Sequence, residues 1–431
     1  TVDFSGRVNR DQRDLALSFS AQVQGGDYPH SLKADISQLN WQLRGAELPP
    51  EGISGQASMQ ASWFEDAKKL SFDKLNLTAN GSTVAGNGSV VLGQQPDWTL
   101  NLQAGTLNLD SLLSHPSASD NNGVNQQGQS QARQLRPVIA DNGIQQDYNS
   151  LRGFNARLSI TAEQLQWRGM HFTQVKSDIS NQQGLLTIHQ MQGNLDGGRL
   201  SLPGSLDARG ETPRASFEPQ LDNVEIGSIL KAFNYSINLT GKLSLTGEFS
   251  GGKIDADEFR RSWQGQAQIQ MTDTRTEGLN FQQLVQQAVE RSTNVQAQEN
   301  YDNATRLDSV STEFALDNGQ VTLKGMQGQS ELMALTGQGE LNLLKEDCDM
   351  RFNVRVLGGW KGESKLIDRL KQTAIPLRIY GNWQTLSYSL QVDQILRKQL
   401  QDEAKKRLSE WAERNKNTQD GKDVKKLLDK L

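Results

Sequence analysis

Strand-like alternation recurs through most of this chain, and helical spacing is confined to three short stretches. In LTGKLSLTGEFSGGKID, Leu239 to Asp255, the residues Leu239, Leu243, Leu245 and Phe249 share one strand face, and Lys242, Ser244 and Glu248 share the other. Side chains alternate sides along a strand, so each such run is apolar on one side and wet on the other. The same pattern returns at Leu15, Leu17, Phe19, Ala21 and Val23, at Phe154, Ala156, Leu158, Ile160 and Ala162, and at Met350, Phe352, Val354 and Val356. Turn signals such as Asn-Gly and Asp-Asn-Gly fall between runs, as antiparallel meanders require.

Hydrophobic residues make up only 35% of the 431, which favours a thin, extended object over a thick core. The reading is mainly β, with one long curled antiparallel sheet, a trough or groove, a few short helices and a C-terminal amphipathic helix. An ungapped internal repeat supports stacked units. GLLTIHQMQGNLDGGRLSLPGSL (184–206) matches GQVTLKGMQGQSELMALTGQGEL (319–341), sharing Met191-Gln192-Gly193 with Met326-Gln327-Gly328 and Gly204 with Gly339. The expected organisation is an N-terminal part of the trough over 1–113, a polar low-complexity loop over 114–150, glycine-bearing β repeats with two short helices over 151–392, and a basic helix and tail over 393–431. Helical spacing marks Leu221–Phe233, Leu279–Val289 and a stretch from Asp393 in which Leu396, Leu400, Ala404, Leu408 and Trp411 form a stripe.

About twenty strands at ~4.8 Å make a ladder roughly 100 Å long, of which the three helices cover less than about a third. The rest of the apolar face has to be buried by folding the sheet on itself, by a partner or by lipid. Two readings stay open: a sandwich or closed barrel with a packed interior, and a curled trough in which acyl chains occupy the inside. In the trough, the lining candidates are Leu15, Leu17, Phe19, Leu158, Ile160, Leu243, Leu245, Phe249, Phe352 and Val354. The stripe from Asp393 is expected to plug one end of the sheet. Its cationic face, Lys405, Lys406 and Arg407 with Trp411, could alternatively meet anionic headgroups. Between Gln394 and Leu431 eleven Lys/Arg against seven Asp/Glu leave a local net of +4 on a chain whose overall net charge is −5.

Catalytic and metal signatures are missing from the sequence. His30, His115, His171 and His189 lie far apart, with no metal-ligand spacing. Cys348 sits between acidic residues that raise a thiol pKa, so it is a poor nucleophile, and as a lone cysteine it forms no intrachain disulfide. No nucleotide-binding loop is present, and the net charge does not suggest a nucleic-acid partner. The expectation is a protein that is not an enzyme and takes no cofactor or metal. The longest apolar run, Leu332–Leu335, is far too short for a membrane-spanning helix. An aromatic content of 6% and a charged helical C-terminus argue against a transmembrane β-barrel. The start inside strand-like TVDFSGRV, without an initiator methionine, reads as a fragment or processed product.

The stretch TGKLSLTGEFSGGKIDADEFRRSWQGQAQIQMTDTRTEGLNFQQLVQQAV (240–289) and the stretch TAIPLRIYGNWQTLSYSLQVDQILRKQL (373–400) resemble blocks of the AsmA-like proteins of Gram-negative envelopes. The likeness covers most of the chain from about Leu151 onward. It implies a periplasmic protein held to the inner membrane by an N-terminal anchor absent from this sequence. It also implies a hydrophobic groove for phospholipid moving towards the outer membrane. On that view outer-membrane lipid homeostasis is affected directly and outer-membrane protein assembly indirectly. The alternative is a scaffold or chaperone that engages outer-membrane or periplasmic proteins itself, through exposed sheet edges.

Overall fold

The computed structural model describes residues 1–10, 12–46, 48–113, 148–390 and 392–430. The chain is mainly β, as its alternation requires, with 22 strands in one mixed, mostly antiparallel sheet. Strands β1 (Val2–Arg10), β2 (Arg13–Gln24), β3 (Ser31–Gly45), β4 (Ile53–Phe64), β5 (Lys69–Ala79), β6 (Ser82–Val91) and β7 (Asp97–Asn108) pair in sequence order. A short helix, α1 (Leu109–Leu112), capped by the Asn108 side chain, ends the run. The next strand, β8 (Asn155–Trp167), lies parallel to β7, a local departure within the long, mostly antiparallel sheet that the alternation leads one to expect. Parallel neighbours need a crossover connection in place of a tight turn. The loop expected over 114–150 falls in that connection and, apart from residues 148–150, lies outside the described residues.

Antiparallel pairing resumes with β9 (Met170–Gln182) and β10 (Leu185–Leu195). The far edge of β10 is shared by two short strands, β11 (Gly198–Ser201) and β12 (Gly204–Asp207). These pair with β14 (Gln220–Glu225) and β13 (Arg214–Phe217) respectively, and both of those pair with the long β15 (Leu239–Gly251). The remaining strands are β16 (Gln264–Glu277), β17 (Ala304–Asp317), β18 (Gln320–Gln329), β19 (Met333–Asn342), β20 (Asp347–Val356), β21 (Ile375–Asn382) and β22 (Thr385–Leu390). The turns follow the local chemistry. Asn80-Gly81 and Asn318-Gly319 both hold positive φ at two successive residues, which is what a two-residue hairpin turn demands.

The chain forms two compact units. The first is Thr1–Thr272 with Glu313–Val321 and Asn342–Glu346; the second is Asp273–Thr312, Thr322–Leu341 and Asp347–Leu431. In the first unit, α2 (Ile226–Ala232) packs on β9 and β15, and α3 (Ala256–Ser262) on β15. The helix expected over Leu221–Phe233 is only half helix. Leu221 and Val224 belong to β14, where they pair with Leu245 and Leu243 across a bulge. The Glu225 carboxylate then accepts from the N–H groups of Gly227 (3.2 Å) and Gly241 (2.8 Å), ending the strand and capping α2.

In the second unit, α4 (Phe281–Ser292), α5 (Lys365–Gln372) and the first turns of α6 (Val392–Arg414) lie on β20 and β21. They enclose a core that includes Val285, Val289, Met350, Val354, Leu370, Leu377 and Leu396. α5 starts at Ser364, whose hydroxyl accepts from the Ile367 N–H, and was not visible in the helical spacing. The C-terminal stripe only partly fulfils its expected plugging role. Leu396 is buried, but Ala404, Leu408 and Trp411 are exposed. Beyond Leu396 two polar side chains of α6 face protein: Gln399 donates to the Thr373 hydroxyl (2.6 Å), and buried Glu403 approaches Arg369 (3.9 Å). α7 (Gln419–Leu428) packs back on α6.

Candidate binding face

Register turns the alternating runs of the first unit into continuous rows. One row reads Val23, Ala34, Ala61, Phe72, Gly88, Leu100, Leu158, Ile179, Ile188, Gly204, Phe217, Phe249, each directly opposite the next. No polar side chain interrupts it. At about 4.8 Å per strand it extends roughly 50 Å along the sheet. A second row runs Phe4, Phe19, Leu39, Ala57, Leu77, Val84, Ala104, Ala162, Val175.

The adjoining row on the other side of the sheet is its chemical inverse. It reads Gln24, Lys33, Ser62, Ser71, Ser89, Thr99, Arg157, Ser180, Thr187, Ser205, Ser216, Ser250. One face is therefore hydrocarbon and the other is mostly hydroxyl over the same strands. The glycines in the apolar row are notches for large neighbours. A Cβ on Gly88 would lie 2.6 Å from Leu100 Cδ2, and one on Gly204 would lie 2.5 Å from Phe217 Cδ1.

The ten sequence-predicted lining residues fall into three settings. Leu15, Leu17, Phe19, Leu158 and Ile160 are half-buried on the apolar face of the first unit. The helices of that unit, α1, α2 and α3, pack on β8, β9 and β15. Leu243, Leu245 and Phe249 lie on β15 under cover. Leu243 and Leu245 oppose Val224 and Leu221 at the corner where α2 packs. Phe249 meets Phe259 of α3 (5.9 Å between centroids) and Phe314 (6.1 Å). Phe352 and Val354 belong to the second unit, where Phe352 packs on Phe281 of α4 (5.2 Å) and Val354 is fully buried. A lining role for those two would need the helices to move.

Sequence reasoning missed Phe72, Leu100, Ile179 and Ile188. All four stand in alternating runs, and β5 and β7 carry the same signal as β2. Ile160 opposes Ser177, a buried residue whose hydroxyl has no partner among the described residues. Buried Asn181, opposite Ala156, is a second polar residue on that face, and its amide donates to the Leu151 (2.9 Å) and Phe154 (3.1 Å) carbonyls.

Of the headgroup candidates, Lys405, Lys406, Arg407 and Trp411 are all exposed on α6, and Arg407 reaches the Glu403 carboxylate at 3.3 Å. Exposed Leu408 and Leu427 lie on α6 and α7 of the same unit. No helix among the described residues is long and apolar enough to cross a membrane. Among the described residues no three His, Cys, Asp or Glu side chains gather as a metal site. The Cys348 thiol is pushed up to about 11, first by burial and then by Asp347 and Asp349. Alkylation of Cys348 by iodoacetamide at pH 8 is accordingly expected to run roughly a hundredfold slower than that of a free thiol, because the thiolate is the reactive form. Labelling followed by intact mass measures this, and a rate equal to that of free cysteine would contradict it.

A sheet of this kind, apolar on one face and hydroxyl-lined on the other, carries the sequence of the AsmA family, whose model matches residues 3–326. The chain belongs to that family. It is 58% identical over 433 residues to Protein AsmA of Escherichia coli (strain K12), a match covering 100% of this chain and 70% of that protein. No solved structure matches.

Proposed function

We propose that the chain binds phospholipid acyl chains along the apolar face of its first unit and passes lipid on without chemical change. The observation that supports this reading most is the uninterrupted row from Val23 to Phe249, in which Leu100, Leu158 and Ile179 are only half-buried. Hydrocarbon recognition needs no directional contacts: each buried methylene contributes about 0.8 kcal/mol, so a smooth apolar rail binds chains while allowing them to slide. Family membership supports a setting in the Gram-negative envelope. The protein would stand in the periplasm, anchored at the inner membrane, and serve outer-membrane lipid homeostasis, with outer-membrane protein assembly following indirectly. Exposed Lys405, Lys406, Arg407 and Trp411 would contact anionic headgroups at the membrane.

The test is mass spectrometry of lipid extracted from the purified chain beside a matched control protein. Stoichiometric phospholipid supports the reading, and an empty extract contradicts it. A second reading, direct scaffolding of outer-membrane protein assembly, is favoured by strand β1. Among the described residues β1 pairs only with β2, and Val2, Phe4 and Val8 along it are about half exposed. Such an edge can accept a client strand. That reading predicts saturable binding of unfolded porin segments and no co-purifying lipid.

A further inference from the structure

The hydrophilic face of the second unit holds a cleft of about 710 Å³ across β18–β22. Gln327, Thr336, Gln338, Asn353 and Ser389 line it with amides and hydroxyls, together with Arg351 and Arg378. Among the described residues no carboxylate lines it. Register sets Arg351 directly opposite Arg378, and like charges so placed repel. Arg378 is drawn aside. It makes a two-pronged bond to the Asp349 carboxylate (both 2.9 Å) and lies over the Tyr380 ring at 4.4 Å. The Arg378 bond, with a smaller contribution from the charge of Arg351, holds Asp349 below the usual carboxylate range. Arg351 has no hydrogen bond or ion pair among the described residues, and it is exposed. The cleft thus presents one guanidinium without a hydrogen-bonded partner among the described residues, beside neutral donors and acceptors.

We propose that this cleft binds a phosphorylated sugar or polyol, with the phosphate on Arg351 and the hydroxyls on the amide and hydroxyl side chains around it. A guanidinium fork matches two phosphate oxygens, and the neutral lining suits a polyhydroxylated body better than a second charge. Phe352 and Leu377 also border the cleft, but they alternate with Arg351 and Arg378 and so belong to the other face of the sheet.

Calorimetric titration of the full chain with glucose 1-phosphate, glucose and inorganic phosphate tests the assignment. Glucose 1-phosphate is expected to bind saturably and more tightly than either of the others, and to weaken as salt is raised. Arg351→Gln should weaken it at least tenfold with the thermal midpoint little changed, since the exposed side chain makes no hydrogen bond or ion pair among the described residues. Asp349→Asn, which releases Arg378 towards the cleft, should tighten it. Vesicles carrying phosphatidylinositol 4-phosphate present the same chemistry on a lipid. Binding to them that Arg351→Gln abolishes supports the site with a membrane source, and binding of the soluble probe alone supports it with a soluble one. No saturable binding at millimolar probe, undiminished binding by folded Arg351→Gln, or equal affinity for inorganic phosphate would overturn the proposal.

Discussion

A carboxylate at position 158 is expected to empty the apolar face of lipid while leaving the sheet folded. Leu158 stands between Leu100 on the parallel neighbour and Ile179 on the antiparallel one, in the middle of the longest apolar row. It is half-buried, so in the lipid-free protein the new charge keeps water and the fold loses only part of the ~1.5–3 kcal/mol that full leucine burial contributes. With an acyl chain alongside, the same charge loses its water without gaining a partner, and that costs several kcal/mol. At about 1.4 kcal/mol per tenfold, Leu158→Asp should lower lipid affinity by two orders of magnitude or more. Thr99→Asp is the matched control, because Thr99 sits one residue from Leu100 on the hydroxyl face, opposite Arg157. Lipid is quantified by mass spectrometry and folding by circular dichroism. A folded Leu158→Asp protein with wild-type lipid content would sink the binding face, whereas loss in both variants would point to a general defect.

The strands and their two faces were legible because both follow from short-range alternation. Even the phase slips carry structure. Leu32, Ala34 and Ile36 are apolar at even positions and Leu39, Trp41 and Leu43 at odd ones, and the ladder has its irregularity between Ile36 and Leu39. Gly204 and Gly339, paired in the internal repeat, both prove to be sites of close approach: a Cβ on Gly339 would lie 2.4 Å from the Asp349 carbonyl oxygen.

What alternation does not carry is register, which joins residues far apart in the chain. Nothing local announces that Leu100 meets Leu158 in a parallel pair, that Arg351 meets Arg378, or that Ser177 sits buried opposite Ile160. Helical coverage was under-read for a related reason. Short α5 has barely two turns in which to show a period. The stripe from Leu396 to Trp411 shows that α6 has an apolar side but not what stands opposite it, and Glu403 and Arg369 are what the packing supplies. Val354 and Leu158 therefore look alike in sequence and differ in setting, one fully buried beneath α4 and α5 and the other half-buried.

That difference sets up the second large effect, which separates packed core from binding face. Leu377 is 1% exposed on β21, opposite Phe352 and Leu390, within the core that α4, α5 and α6 close. Leu377→Ala removes three carbons from a site whose walls are strand backbone on one side and helices on the other, so collapse around the void is limited. The expected loss is about 2–5 kcal/mol, against less than about 1 kcal/mol for Leu158→Ala, where half the side chain already faces the open side of the sheet. Urea midpoints measured on both variants give the comparison. Lipid content should be unchanged in Leu377→Ala, because its neighbours are protein. If Leu377→Ala cost no more than Leu158→Ala, the second unit would not be a packed core. If it were costly and also shed lipid, acyl chains would have to reach between α4 and β20, and Phe352 and Val354 would return to the lining as residues that a helix shift uncovers.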